Sequence, residues 1–73
     1  MNELIIGDYG RFRFTISNKK HKIAMGFNLV GCVTDVDKLN IEITDNDDII
    51  YIVKKKNIIS FEPMKQPKKP EKL

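Results

Sequence analysis

Two short stretches of this chain alternate strictly between apolar and polar side chains, and that alternation constrains the fold more than any other feature. In Arg11-Phe12-Arg13-Phe14-Thr15-Ile16, the residues Phe12, Phe14 and Ile16 fall on one side and Arg11, Arg13 and Thr15 on the other. In Leu39-Asn40-Ile41-Glu42-Ile43-Thr44, Leu39, Ile41 and Ile43 oppose Asn40, Glu42 and Thr44. A period of two marks a half-buried strand, because successive side chains of an extended backbone point to opposite faces. No segment carries a convincing helical period; Asn2-Glu3-Leu4-Ile5-Ile6 is long enough only to start a helical turn.

Three further strands complete the pattern. Phe27 to Val36 is one, and Gly31 within it predicts a sharp bend or bulge. Ile49-Ile50-Tyr51-Ile52-Val53 and Ile58-Ile59-Ser60-Phe61 are the others. Asn18 to Lys22 is a polar connection, and Asp45-Asn46-Asp47-Asp48 is a turn, since Asp and Asn bond their own backbone. Five short strands at close spacing predict an all-β domain over residues 1–62, closed into a small five-stranded barrel. All three prolines, Pro63, Pro67 and Pro70, lie among lysines in the last eleven residues. That composition buries no core and predicts a disordered or extended basic tail over residues 63–73.

Ile49 to Val53 departs from the alternation, being apolar throughout. Such a run implies a strand covered on both faces. A small barrel has one interior, so part of the run faces water in a monomer unless a neighbouring subunit pairs with it. The alternative is that Tyr51 and Val53 are covered by the N-terminal segment.

A chain of 73 residues forms one small domain, and small cores generally call for disulfides, a metal or self-association. Cys32 is the only cysteine and His21 the only histidine, so neither an intrachain disulfide nor a tetrahedral zinc site can be assembled. Self-association is the remaining route. A lone thiol without a signal peptide or a long apolar stretch fits a protein of the reducing cytoplasm that does not enter a membrane.

The formal charge of +3 resides in the tail, where four lysines face one glutamate. Residues 1–62 are neutral, with nine basic and nine acidic groups, but the charges are segregated. Residues 8–31 carry five basic groups and one acid, residues 32–48 six acids and one lysine, and Lys54-Lys55-Lys56 follows. Distinct basic and acidic faces are therefore expected.

Catalytic chemistry finds no support in these residues. The segment from Asp45 has carboxylates at the first and third positions of a calcium loop, but Ile49 and Ile50 stand where a ligand and a glycine are needed. His21 has no Ser, Cys or acidic partner at a telling spacing, and Cys32 lies among apolar neighbours as a small hydrophobe. No phosphate loop is present, and the expectation is a non-enzymatic binding module without a cofactor. Tyr9, Arg11, Phe12, Arg13 and Phe14 interleave aromatic and basic groups as single-strand binders do. Strand alternation instead assigns the two phenylalanines to the core and leaves the arginines solvated.

Three stretches within residues 26–63, namely Gly26 to Gly31, Asp37-Lys38-Leu39-Asn40 and Val53-Lys54-Lys55-Lys56-Asn57-Ile58, together resemble the Sm/Hfq family of RNA-binding proteins. Gly26-Phe27-Asn28-Leu29-Val30-Gly31 is similar to the glycine-framed second strand of that family, and Asp37-Lys38-Leu39-Asn40 to its first motif, in a spacing closer to the Hfq branch. Val53-Lys54-Lys55-Lys56-Asn57-Ile58 falls where the family has Ile-Arg-Gly-x-Asn-Ile, with Lys54 and Lys55 in place of the Arg-Gly pair. Pro63 closes the segment. The resemblance implies a ring in which the fourth strand pairs with the fifth of the next subunit, through Ile49, Ile50, Tyr51, Ile52 and Val53 on one side and Ile59 and Phe61 on the other. It also implies that the loops holding Asp37, Lys38, Leu39 and Asn40 and holding Lys54, Lys55, Lys56 and Asn57 meet and bind single-stranded RNA. Asn40 can read a base edge, Leu39 offers an apolar contact, and lysines neutralise phosphate. The long first connection, Asn18 to Met25, is instead typical of Src-homology, Tudor and KOW-type barrels. That likeness implies a protein-interaction adaptor or inhibitor, for example of phage or plasmid origin, using a groove or sheet edge.

Overall fold

The computed structural model describes residues 3–18 and 23–67. All five strands form: β1 (Tyr9–Asn18), β2 (Ile23–Val36), β3 (Asn40–Asp45), β4 (Ile50–Lys54) and β5 (Ile58–Pro63). A 3-10 turn, Lys55–Asn57, joins β4 to β5. The strands make one antiparallel sheet in the order β4-β3-β2-β1-β5. The helical turn expected at residues 2–6 is not formed among the described residues; the chain there turns at Ile6 and Gly7. His21 and the end of the expected tail lie outside the described residues.

The sheet is curled but not closed, which corrects the expectation of a barrel. Strands β4 and β5 are its two edges and do not pair with each other. They are nevertheless consecutive, joined by three residues of 3-10 turn. At roughly 2 Å rise per residue that turn spans about 6 Å. The two edges therefore approach each other at the turn, which requires the sheet to wrap most of the way round its core. After this short connection β5 runs antiparallel against β1, where Phe14 opposes Ile58 and Gly10 opposes Pro63. That pairing satisfies the inner edge of β5; among the described residues no strand pairs with its outer edge or with that of β4.

Two glycines sit where neighbouring backbones approach closely. Gly10 and Gly31 are directly opposed in the β1–β2 pair. A Cβ on Gly31 would stand 2.6 Å from the Thr44 carbonyl oxygen, and one on Gly10 would run into the Glu62 carbonyl. The bulge expected at Gly31 falls instead at Thr34, where the β2–β3 register slips between Val33 and Asp35. Gly31 serves a close backbone approach, the other use of glycine within a strand.

The core is the inner face of the curl: Phe12 and Phe14 of β1, Val33 of β2, Ile41 and Ile43 of β3, Val53 of β4 and Ile58 of β5, with Leu4 laid over them. The Phe12 and Phe61 rings are tilted against each other at 4.7 Å. Leu4 is held in place by backbone bonds between the N-terminal segment and the bulged strand: Gly7 N–H donates to the Val33 carbonyl at 2.9 Å and Val33 N–H to the Asp8 carbonyl at 2.8 Å. At the other end of the core, the Tyr9 hydroxyl donates to Asn46 Oδ1 at 2.9 Å and ties β1 to the β3–β4 turn.

The apolar run of β4 resolves into two faces. Val53 is buried and Tyr51 half-buried because they oppose Ile41 and Ile43 of the core. Ile50 and Ile52 point outward and are 59% and 65% exposed.

Candidate nucleic-acid interface

The β2–β3 connection is shaped by one carboxylate. Asp37 Oδ1 accepts hydrogen bonds from the backbone N–H groups of Leu39 and Asn40, both at 2.8 Å. Asp37 N–H in turn donates to the Asn40 carbonyl at 3.0 Å. This is the local closure that makes Asp a turn residue. Those donors, Asn40 N–H foremost and Leu39 N–H next, hold the Asp37 carboxyl below the usual aspartate range. The Asn40 carboxamide and the positive charge of Lys55 act in the same direction. Asp37 therefore stays ionised and committed to its own loop.

The β3–β4 pair then carries the loop to the lysines. Asn40 is directly opposite Lys54, and the Lys55 N–H donates to the Leu39 carbonyl at 2.9 Å. The result is one cleft of about 360 Å³ lined by Lys38, Leu39, Asn40, Lys54, Lys55 and Lys56. Leu39 is 69% exposed although the strand that follows it is built into the core. The cleft thus presents four ammonium groups, one carboxamide and an uncovered apolar side chain. Ammonium groups neutralise phosphates, a carboxamide carries both a donor and an acceptor for a base edge, and an apolar group packs on a base or sugar.

Of the eight residues singled out for nucleic-acid contact, six line this cleft. Asp37 is outside the lining and shapes the loop that carries Leu39 and Asn40. Asn57 ends the 3-10 turn, half-buried and outside the lining. Among the residues singled out for a subunit contact, Ile49, Ile50 and Ile52 are exposed beside or on the free edge strand β4, and Ile59 is exposed on β5. Val53, Tyr51 and Phe61 turn into the chain's own core instead, since the Phe61 ring packs tilted against Phe12 and the Tyr51 hydroxyl donates to Asp45 at 3.2 Å.

The acidic segment is a turn. Asp45 Oδ1 accepts from the N–H groups of Asp47 and Ile49, both at 2.9 Å, and Asp48 takes the left-handed conformation with φ 63°. The Ile49 N–H is the main reason the Asp45 carboxyl lies below its ordinary range, and the bond to Asp45 raises the Tyr51 phenol above its own. Cys32 is half-buried, with its thiol directed at the Val33 carbonyl.

One feature of the outer face escaped the sequence reading. Arg11, Arg13, Asn28, Ser60 and Glu62, from three strands, line a second cleft of about 460 Å³. The alternation of β1 gave the outward direction of the arginines, but their neighbours follow from strand order and register.

No helix among the described residues is long and apolar enough to cross a membrane. Comparison of the chain with family models finds no match, and comparison with curated proteins and with solved structures finds none either.

Proposed function

We propose that this protein is a non-enzymatic binding module that holds single-stranded RNA in the cleft between Lys38–Asn40 and Lys54–Lys56, and that it assembles through its two free sheet edges. The observation that carries this reading is the joining of two distant segments into one cleft by the Asn40–Lys54 pairing and the Lys55–Leu39 backbone bond. A bare lysine cluster is a solvated surface. Lysines arranged around an amide and an exposed leucine can bind both parts of a nucleotide at once.

Assembly follows from the edges. An exposed edge strand bearing isoleucines invites pairing, and here β4 offers Ile50 and Ile52 while β5 offers Ile59. Addition of β4 of one subunit to β5 of the next is a head-to-tail contact, which generates a ring where the rotation closes. Each curled sheet is then completed as a small barrel of the Sm-like kind across the subunit boundary, and a lone thiol suits such an assembly to the cytoplasm.

The free β4 edge also favours a second reading, a Src-homology-like adaptor that takes an extended peptide as an added strand. Titration of short A-rich and U-rich RNAs separates the two. The RNA reading requires binding that weakens steeply with salt and is lost in the Lys54→Ala/Lys55→Ala variant. Absence of binding at low salt favours the adaptor.

A further inference from the structure

Because Phe12 and Phe14 are drawn into the core, Arg11 and Arg13 are turned to the outer face of the sheet. β1 has β2 on one side and β5 on the other, so its outward residues have cross-strand neighbours on both flanks. Arg13 is opposite Asn28 in β2 and opposite Ser60 in β5. Arg11 is opposite Glu62. Residues paired in this way share a face. Asn28, Arg13 and Ser60 therefore form a row across three strands, with Arg11 and Glu62 beside it, around the larger of the two clefts described.

The charges in this cleft are unequally matched. Arg11 Nη1 reaches Glu62 Oε2 at 3.5 Å, with about half of the arginine side chain and two thirds of the glutamate exposed, at 49% and 68%. A pair that long and that solvated is weak. Among the described residues, no ion pair or hydrogen bond engages the Arg13 guanidinium. It stands between a carboxamide and a hydroxyl, both able to donate. A guanidinium presents its N–H groups as a planar fork that matches two oxygens of an oxyanion. Two arginines and one glutamate give the site a net charge of +1, which complements a singly charged phosphodiester better than a dianionic phosphate monoester.

We propose that the Asn28–Arg13–Ser60 row, with Arg11, is a phosphate-binding site that holds a backbone phosphodiester of the RNA strand. The identity of the strand rests on the reading under Proposed function; the anion site itself rests on the row. Arg13 holds the phosphate oxygens, Asn28 and Ser60 donate from either side, and Glu62 competes for Arg11.

The test uses the full chain and its Arg13→Ala and Glu62→Gln variants, titrated with short A-rich and U-rich RNAs over a range of salt. Both side chains are exposed, so amide spectra should report an unchanged fold. Arg13→Ala should weaken both RNAs by the same factor and reduce the salt slope by about 0.7, the value for one single-strand phosphate contact. Glu62→Gln should tighten binding several-fold. Unchanged affinity and slope in Arg13→Ala overturn the proposal. A parallel titration with inorganic phosphate, followed at the Arg13 Nε–H and Asn28 carboxamide resonances, separates the two sources of phosphate. Shifts there without any RNA binding overturn the assignment to RNA and leave a site for free phosphate. No shift and no RNA binding overturn both.

Discussion

Asn40 and Lys54 face each other directly across the β3–β4 pair. That one pairing brings the Asp37 loop and the lysine triplet, well separated in the chain, to the two sides of a single cleft. It also ties one side of the cleft to the core, into which β3 sets Ile41 and Ile43.

Lys54→Ala/Lys55→Ala should abolish most RNA binding and lower the salt slope by about 0.7 for each phosphate contact removed. Lys54 is exposed and Lys55 half-buried, so thermal unfolding should move little. Fluorescence anisotropy over a salt series, with a melting curve for each variant, measures both.

Acid should loosen the two loops at either end of β3. Asp37 and Asp45 bind protons less readily folded than unfolded, because backbone N–H groups are satisfied by the ionised form. Their contribution is complete above the ordinary aspartate pKa of about 4 and is lost as pH falls through the depressed folded values. Tyr51 works the other way: its raised phenol contributes below the ordinary tyrosine pKa of about 10 and loses that contribution as pH rises through the folded value. Denaturant midpoints across pH should fall on both limbs. Asp37→Asn should flatten the acid limb, and Tyr51→Phe the alkaline one.

Gly31→Ala should destabilise the fold out of proportion to one methyl group. The new carbon has the Thr44 carbonyl oxygen at 2.6 Å and Ile43 Cγ2 at 2.9 Å, so β3 must move away from β2. Crowding of this kind costs about 1–3 kcal/mol. Phe12→Ala, at a fully buried position, should cost about 3–5 kcal/mol and leave a domain of this size mostly unfolded. Urea denaturation of each variant gives the comparison.

Ile50→Lys/Ile52→Lys should disperse the assembly without harming the subunit. Both side chains lie on the outward face of an edge strand, where lysine is tolerated and discourages pairing. Light scattering should give the wild-type protein a mass several times that of one chain and the variant the mass of a monomer. A wild-type monomer would remove the ring and favour the adaptor.

The strands were legible because Phe12, Phe14, Ile41 and Ile43 alternate with polar residues, which is a local signal. The cleft was legible in part: Lys54-Lys55-Lys56 stood out as a lysine triplet, whereas Asp37-Lys38-Leu39-Asn40 and the meeting of the two loops were expected only from the resemblance to the Sm/Hfq family; the β3–β4 pairing is what joins them here. Properties set by distant pairing were not. The faces of Ile49 to Val53 depend on which residues of β3 oppose them, so a run of five apolar side chains left them open. Whether β4 and β5 join depends on the path of the Lys55–Asn57 turn, and the expected barrel is an open curl. Gly31 marked a special position but not its kind: the bulge lies at Thr34, and Gly31 admits a close backbone approach, a demand that favours the same residue. The Asn28–Arg13–Ser60 row needs the register of three strands at once, which no single stretch of sequence carries.

The most direct test of the RNA reading is photo-crosslinking of the full chain to a U-rich RNA containing 4-thiouridine, with the attached peptides mapped by mass spectrometry. The expected result is attachment within Lys38–Asn40 and Lys54–Lys56, competed by unlabelled RNA and lost in Lys54→Ala/Lys55→Ala. Crosslinks confined to other segments, or none at low salt, would contradict it.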